Sequence, residues 1–232
     1  MLSIVTINRN NIEGLRRTIE SLRSQTSQNF EWICVDGLST DDSFQLALAF
    51  KRSSDVLISE SDSGIYSAMN KGLGLANQNM VLFLNSGDVF YDHLAIERLL
   101  PLCTEKLDFA MFGFKIRDVL RAPRALWWRF WSMPTSHQAI LYSRELLLRF
   151  PFNEEYRLAA DYDQFLRMNR QNLHFVSSAS PLIVNEPYGT DENLTKVISE
   201  YRHSLISNGY PSWWANFLYW AKSRYLPIVL VK

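Results

Sequence analysis

Four aspartates stand where the chain leaves an apolar run or enters a helix-like segment, and carboxylates in such places can hold cations or take protons. Asp36 ends FEWICVD, Asp62 follows VLIS, Asp88 follows VLFL, and Asp161 opens a helical pattern. In an open α/β sheet, ligands bind outside the carboxyl ends of the strands. We therefore expect the two acidic loops at Asp62 and Asp88 to hold Mg2+ or Mn2+ against phosphate oxygens.

Three of these aspartates also have a purely structural interpretation. Asp36 precedes Gly37, so its carboxylate can accept turn amides or, equally, a ligand's ring N–H or hydroxyl. Asp88 can be a simple turn acid or helix cap, but its position after a buried strand favours a metal ligand. A carboxylate at a helix N-terminus stabilises the helix by about 0.3–1 kcal/mol. For Asp161 taken alone, this capping role is the favoured interpretation.

His137 and Gln138 form a polar pair between Pro134-Thr135-Ser136 and an apolar run. They either form a hydrogen-bonded loop or orient a sugar hydroxyl or a phosphate. The other three histidines show no ligand spacing, which argues against zinc. The sequence contains neither a P-loop nor a GxGxxG pattern, so ATPase and dinucleotide functions are disfavoured.

The composition indicates one large domain, or a domain with a small appendage, with a real core. The chain has 232 residues, 47% of them hydrophobic, and a formal net charge of zero, so no nucleic-acid partner is expected. Two cysteines, Cys34 and Cys103, make no disulfide framework, which favours a reducing cytoplasm. The N-terminus does not resemble a signal peptide, and no apolar stretch reaches the ~20 residues that span a bilayer.

The elements that must position the aspartates alternate along the first half of the chain. Apolar runs predict strands, and helical periodicity predicts helices between them. The predicted strands are 2–6, 30–35, 56–59, 81–84 and 109–114, with two more near 174 and at 182–184; the predicted helices are 12–22, 43–50, 67–76, 94–100 and 160–169. This β-α-β order predicts an α/β fold with a mostly parallel sheet flanked by helices.

Several segments together resemble a known family. SIVTINRNN, VDGLSTDDS, SDSGIYSAMNKGLGLA and FLNSGD occur in this order and resemble the inverting family-2 glycosyltransferases of the GT-A fold. SHQAILYSR and YRLAADYDQFLRM make the chain most similar to the bacterial colanic-acid-type branch, which builds exopolysaccharide and O-antigen units. The resemblance covers roughly residues 1–188.

The resemblance implies roles for individual residues. Asp161 matches the catalytic base, and Asp88 matches the metal ligand for Mg2+ or Mn2+. Asn85 stands where the family has an earlier acid, and Gly37 replaces the second acid of a strand-end pattern. The residues implied to bind the nucleotide-sugar donor are Thr6, Arg9, Asp36, Asp62 and Asn85.

The resemblance and the composition together divide the chain. Residues 1–190 are predicted to form the GT-A domain, with a nucleotide-sugar half at 1–100 and an acceptor half at 101–190. Residues 191–232 form a helical tail, in which Ser212 is predicted to cap a helix that ends before Pro227. Tryptophans and basic residues without acids favour an interfacial membrane helix there. Packing of the same helix on the domain is the alternative.

The sequence therefore predicts a metal-dependent inverting hexosyltransferase. Its donor is a nucleotide sugar, with a UDP-sugar favoured, and its acceptor is a lipid-linked glycan in bacterial surface polysaccharide biosynthesis. It is expected to be cytoplasmic and peripheral on the inner-membrane surface. The alternatives are a nucleotidyltransferase, and a non-catalytic membrane-associated assembly subunit that keeps the fold.

Overall fold

The structure, a computed structural model, describes residues 2–104, 106–168, 170–186 and 194–230. Within these ranges the chain forms a nine-stranded sheet and eight α-helices. The strands are β1 (Leu2–Asn8), β2 (Phe30–Asp36), β3 (Val56–Ser59), β4 (Met80–Phe83), β5 (Val89–Phe90), β6 (Phe109–Ile116), β7 (Val119–Arg121), β8 (Ile140–Ser143) and β9 (Phe175–Asn185). The helices are α1 (Ile12–Arg23), α2 (Ser43–Phe50), α3 (Ile65–Leu75), α4 (Ala95–Leu99), α5 (Arg144–Arg149), α6 (Ala160–Met168), α7 (Leu194–Ser207) and α8 (Ser212–Leu230).

The first four strands form a parallel unit in the order β3-β2-β1-β4. All residues of β2 and β4 are buried, as expected for continuous apolar runs covered on both faces. Because the strands are parallel, their carboxyl ends lie at one edge of the sheet. The loops that follow Asn8, Asp36, Ser59 and Phe83 therefore share this edge.

Beyond β4 the sheet becomes mixed. β8 is antiparallel to β4 and β6, whereas β6 and β9 are parallel, and β5 and β7 form antiparallel edges. The α/β fold class is confirmed, but the mostly parallel pattern holds for the first four strands. The two strands predicted near 174 and at 182–184 are one strand, β9. It pairs with β6, and the register of this pairing shifts beside Gly113.

Helices cover both faces of the sheet. On one face, apolar side chains of α1, α2 and α4 pack on alternate strand residues such as Ile4 and Leu82. On the other face, α3, α5 and α6 pack on Val5 and Phe83. Neighbouring residues of a strand point to opposite faces of the sheet, so their side chains contribute to two separate cores.

A third cluster joins the C-terminal helices to α6. It contains Tyr162 and Leu166 from α6, Leu205 from α7, and Ala215 and Leu218 from α8. The expected end before Pro227 is wrong, since α8 extends to Leu230. A proline inside a helix removes one hydrogen bond and crowds the carbonyl four residues earlier, which can kink a helix without ending it. Among the described residues, no helix is long and apolar enough to cross a membrane.

Candidate active site

The edge at the carboxyl ends of β1 to β4 gathers most of the predicted site residues. Asp36 is 1% exposed and its carboxylate ties three strands together. Oδ1 accepts from Asn8 Nδ2 at 3.1 Å, and Oδ2 accepts from Ser39 N at 2.9 Å and Ser59 Oγ at 2.7 Å. Burial opposes ionisation, but these hydrogen bonds outweigh it and hold the pKa of Asp36 below its ordinary value. These hydrogen bonds give Asp36 the structural role of closing the turn after β2. Nucleotide binding by Asp36 stays a prediction.

The structure does not bring the Thr6 side chain to this edge surface. Thr6 is fully buried, and its hydroxyl accepts a hydrogen bond from Trp32 Nε1 at 3.0 Å. The physical reason is the pleat of β1, which directs Thr6 into the core formed with β2. The Thr6 side chain therefore stabilises the sheet and offers no surface to a donor.

Arg9, Gly37 and Asp62 lie together at the ends of β1, β2 and β3. A Cβ at Gly37 would come within 2.5 Å of Asp62 Oδ2 and 3.3 Å of Arg9 Cδ. Gly37 thus makes room for both charged side chains, and this accounts for a glycine where the family pattern has an acid. Asp62 Oδ1 also accepts from Gly64 N at 3.0 Å, which leaves Oδ2 facing Arg9 and Gly37.

Asp88 is buried just beyond the end of β4, in the same turn as Asn85 and in contact with Asn185, and we call these three residues the cation pocket. Its carboxylate is 4% exposed, and Oδ1 accepts from Asn185 Nδ2 at 3.1 Å and Glu186 N at 2.8 Å. Burial raises the pKa of Asp88 to about 6. The side-chain oxygens of Asn85 and Asn185 are buried and have no hydrogen-bond donor in the described part of the chain.

This pocket fits a divalent cation, although no acidic cluster forms it. The described residues contain no group of three His, Cys, Asp or Glu that would hold a metal. One carboxylate with two unpaired amide oxygens is nevertheless the oxygen donor set that Mg2+ and Mn2+ prefer when substrate phosphates supply the remaining ligands. A buried carbonyl oxygen without a donor costs free energy, and a cation removes that cost. Asp88, Asn85 and Asn185 are the residues that would hold it.

Asp161 is the second residue of α6 and is half-buried. Tyr66 Oη donates to Asp161 Oδ1 at 3.1 Å. Because Tyr66 lies in the first turn of α3, directly after the loop from β3, this bond brings Asp161 to the edge that carries Asp62. Burial raises the pKa of Asp161 to about 6, so its carboxyl loses its proton just below neutral pH.

His137 lies among aromatic rings and is 5% exposed. Its ring centroid is 5.1 Å from that of Phe83 and 5.3 Å from that of Phe152. Burial lowers the pKa of His137 to about 3, so the imidazole is neutral and would not attract a phosphate by charge. Its Nε2 has no partner among the described residues, and Gln138 accepts from Ser136 Oγ at 2.7 Å. Acceptor binding by this pair stays a prediction.

Some residues of the site carry no role in the sequence-based prediction. Tyr66 belongs to the quoted segment SDSGIYSAMN, and its place in the first turn of α3 was the available signal. No signal in the sequence pointed to Asn185, because it lies 97 residues from Asp88. The pairing of β9 with β5 brings the two residues together.

A family model described as "Glycosyl transferase family 2" matches residues 3–173 of this chain. The chain belongs to glycosyl transferase family 2. The matched region contains the edge loops, Asp88 and Asp161, so the family resemblance is confirmed. The narrower resemblance to exopolysaccharide and O-antigen transferases stays a prediction.

Among curated relatives, a PGL/p-HBAD biosynthesis glycosyltransferase of Mycobacterium bovis is 29% identical over 178 residues, covering 72% of this chain and 69% of the relative. An uncharacterized glycosyltransferase of Mycobacterium tuberculosis is 37% identical over 90 residues, covering 38% of this chain and 34% of the relative. Both relatives are named as glycosyltransferases, in agreement with the family model.

Solved structures show the same fold at low sequence identity. Staphylococcus aureus TarS 1–349 in complex with UDP-GlcNAc has a TM-score of 0.69 and 17% identity, over 94% of this chain and 70% of that one. The mannosyltransferase PcManGT of Pyrobaculum calidifontis, in complex with GDP-Man and Mn2+, has a TM-score of 0.70 and 14% identity, over 94% and 67%. Glucosyl-3-phosphoglycerate synthase of M. tuberculosis, with Mn2+, UDP and phosphoglyceric acid, has a TM-score of 0.65 and 18% identity, over 91% and 79%. The fold is GT-A.

Proposed function

We propose that this family-2 glycosyltransferase is a metal-dependent inverting hexosyltransferase that uses a nucleotide sugar, with a UDP-sugar favoured. The observation that carries the proposal is the carboxyl of Asp161, held by Tyr66 at the sheet edge that also presents Asp62 and Asp88. One side of this edge offers oxygen ligands for a diphosphate-bound cation, and the other offers a single base. The structures that bind UDP-GlcNAc or UDP with Mn2+ have the same fold and support the choice of donor and cation.

The proposed chemistry is one displacement. An acceptor hydroxyl is a poor nucleophile until a positioned carboxylate takes its proton, and Asp161 with a pKa of about 6 is ionised at neutral pH. Attack on the anomeric carbon from the face opposite the leaving diphosphate inverts that centre. No second carboxylate is required as a nucleophile, in contrast with two-step retention.

The chain's residues on the donor side hold and orient the leaving group. Arg9 and Asp62 flank Gly37 where the nucleoside would lie, and Asp88, Asn85 and Asn185 would bind the cation. When bound, that cation neutralises the charge that develops on the nucleoside diphosphate. Arg17 pairs with Glu186 beside Gly87, so the carboxylate next to the cation pocket is already neutralised by the protein.

We further propose a lipid-linked glycan as the acceptor, with the enzyme peripheral on the cytoplasmic face of the inner membrane. The support comes from α8, where Trp213 is 70%, Phe217 48% and Trp220 54% exposed. Residues 201–232 contain no acid. An exposed aromatic row with basic residues suits a headgroup layer. Surface polysaccharide biosynthesis is the process in which such an acceptor is used.

The test is turnover with a panel of nucleotide sugars and lipid-linked acceptors, with Mn2+ or Mg2+. We expect Asp161→Asn and Asp88→Ala each to lower kcat by at least about 100-fold, because one removes the base and the other the charged cation ligand. Asp118→Asn is the matched control, since that carboxylate is fully exposed and, among the described residues, pairs with Lys115 alone. Full activity of either site variant would overturn the assignment of that residue.

A further inference from the structure

Glu200 on α7 accepts three consecutive backbone N–H groups at the entry to α6. Its Oε1 accepts from Arg157 N at 3.2 Å, and its Oε2 accepts from Leu158 N at 2.8 Å and Ala159 N at 2.9 Å. The first N–H groups of a helix and the turn before it lack intrahelical acceptors and need other partners. Glu200 supplies them from a different helix, 41 residues further along the chain from Ala159.

The same helix also holds α6 on the other side of Asp161. The ring of Tyr201 stacks on that of Tyr162, with centroids 4.0 Å apart and planes 13° apart. Asp163 Oδ1 accepts from Ser204 Oγ at 3.1 Å and Asn208 Nδ2 at 2.9 Å, just beyond α7. Residues of α7 and its end thus contact the chain on both sides of Asp161, from residue 157 to residue 163.

The partners that α7 and its end supply to these contacts lie outside the region that the family model matches. The family model matches residues 3–173, whereas Glu200 and Tyr201 come later. The position of the base therefore depends on a helix that follows the family-matched region. The Asp161 carboxylate accepts from Tyr66 Oη and from the backbone N–H of Tyr162, and Glu200 holds the turn that leads into this part of α6.

We infer that Glu200 is a positioning residue: its carboxylate fixes the backbone from which Asp161 reaches the acceptor hydroxyl. The inference rests on the proposed role of Asp161 as the base. A misplacement of about 1 Å in a catalytic group can lower a rate by about 100-fold, so the three N–H bonds matter for catalysis as well as for folding.

The Glu200 charge gives a second readout. Asp161 faces Tyr66 from α3, Tyr142 from β8, and Glu200 and Tyr201 from α7. Burial is the main cause of the raised pKa of Asp161, and the negative charge of Glu200 raises it further. Loss of that charge is therefore expected to lower the pKa of Asp161 and extend activity to lower pH.

The experiment compares Glu200→Gln and Glu200→Ala with the wild-type chain of 232 residues. We expect kcat of E200A to fall by about 10- to 100-fold, with an unchanged KM for the donor. E200Q keeps one acceptor oxygen and the side-chain length, so its kcat should fall less, and its acidic limb should move to lower pH. Glu155→Gln, which removes an exposed carboxylate in the preceding loop, is the matched control and should leave kcat and the acidic limb unchanged.

Thermal unfolding and UDP binding are measured alongside, so that loss of folded protein is not counted as loss of kcat. Wild-type kcat per folded molecule in E200A, or an acidic limb in E200Q that stays in place or moves to higher pH, would overturn the inference. Failure of the proposed function is distinguishable, because D161N would then remain active. The inference fails alone when D161N is inactive and both Glu200 variants turn over as the wild type does.

Discussion

The carboxyls of Asp88 and Asp161 both have a pKa raised to about 6 by burial, but their surroundings differ. Asp88 has one oxygen fixed by Asn185 and Glu186, beside two unpaired amide oxygens. A cation in that pocket would favour the ionised form. Asp161 accepts a hydrogen bond from the Tyr66 phenol and is half-buried, which suits a group that must exchange a proton with an incoming hydroxyl. Environment rather than residue type separates the two proposed roles.

Tyr66→Phe should change the pH dependence of kcat. The phenol donates to the ionised carboxylate of Asp161 and lowers its pKa, so its removal raises that pKa further above 6. The acidic limb should move to higher pH by about one to two units, because a hydrogen bond to a charged group contributes about 1.5–3 kcal/mol and one pKa unit corresponds to about 1.4 kcal/mol. The measurement is kcat from pH 5 to 9.

Tyr91→Phe is the control, since Tyr91 is 40% exposed. An acidic limb that stays in place in Y66F, or moves to lower pH, would contradict the role of Tyr66. The expected direction is opposite to that for E200Q, so the two variants together test whether Asp161 is the group that titrates.

At the scale of elements, local periodicity was sufficient for the parallel half of the sheet. The run VLFL, at 81–84, corresponds to β4 at Met80–Phe83, and the helix expected at 160–169 is α6 at Ala160–Met168. Partners distant in sequence were not predictable. Nothing near Thr6 indicates that its hydroxyl meets Trp32, and nothing near Asp163 indicates that Ser204 and Asn208 bury it.

Helix α8 has two faces, which combine the two interpretations of the tail. Ala215, Leu218 and Ala221 are buried against the domain. Lys222 Nζ lies 4.2 Å from the Tyr201 ring centroid and 5.7 Å from that of Trp131, and burial lowers its pKa to about 7. The opposite face carries the exposed row of Trp213, Phe217 and Trp220. Packing on the domain therefore leaves aromatic surface free for a membrane.

Replacing that row should weaken membrane binding without unfolding the protein. The triple variant Trp213→Ser, Phe217→Ser, Trp220→Ser should float less with vesicles containing anionic lipid, because interfacial binding scales with buried apolar area. The control is Leu48→Ser, Leu94→Ser, Leu148→Ser, in which each leucine is at least 40% exposed elsewhere on the surface. Equal flotation of the aromatic variant and the wild type would contradict a membrane role for α8.

At the scale of the whole molecule, the site draws on nearly every layer of the fold. Strands β1 to β4 end at the donor edge, β9 supplies Asn185, and α3 supplies Tyr66. The C-terminal helices close the structure around α6 through a third apolar cluster. We therefore expect a ligand at the donor edge to stabilise the whole chain against unfolding, and not a single loop.

That coupling predicts how ligands change thermal stability. A ligand that binds only the folded state stabilises it by about 2.7 kcal/mol at 100 times its Kd, which corresponds to roughly 5–10 °C in Tm for a chain of this size. We expect UDP with Mn2+ to raise Tm in the wild type, D118N and D161N, because none of these changes the cation pocket. D88A should lose the Mn2+-dependent part of the increase, since its remaining ligands are the neutral oxygens of Asn85 and Asn185. An undiminished Mn2+-dependent increase in Tm in D88A would show that the cation binds elsewhere. Loss of the increase in D161N would mean that Asp161 contributes to donor binding and not to proton transfer alone.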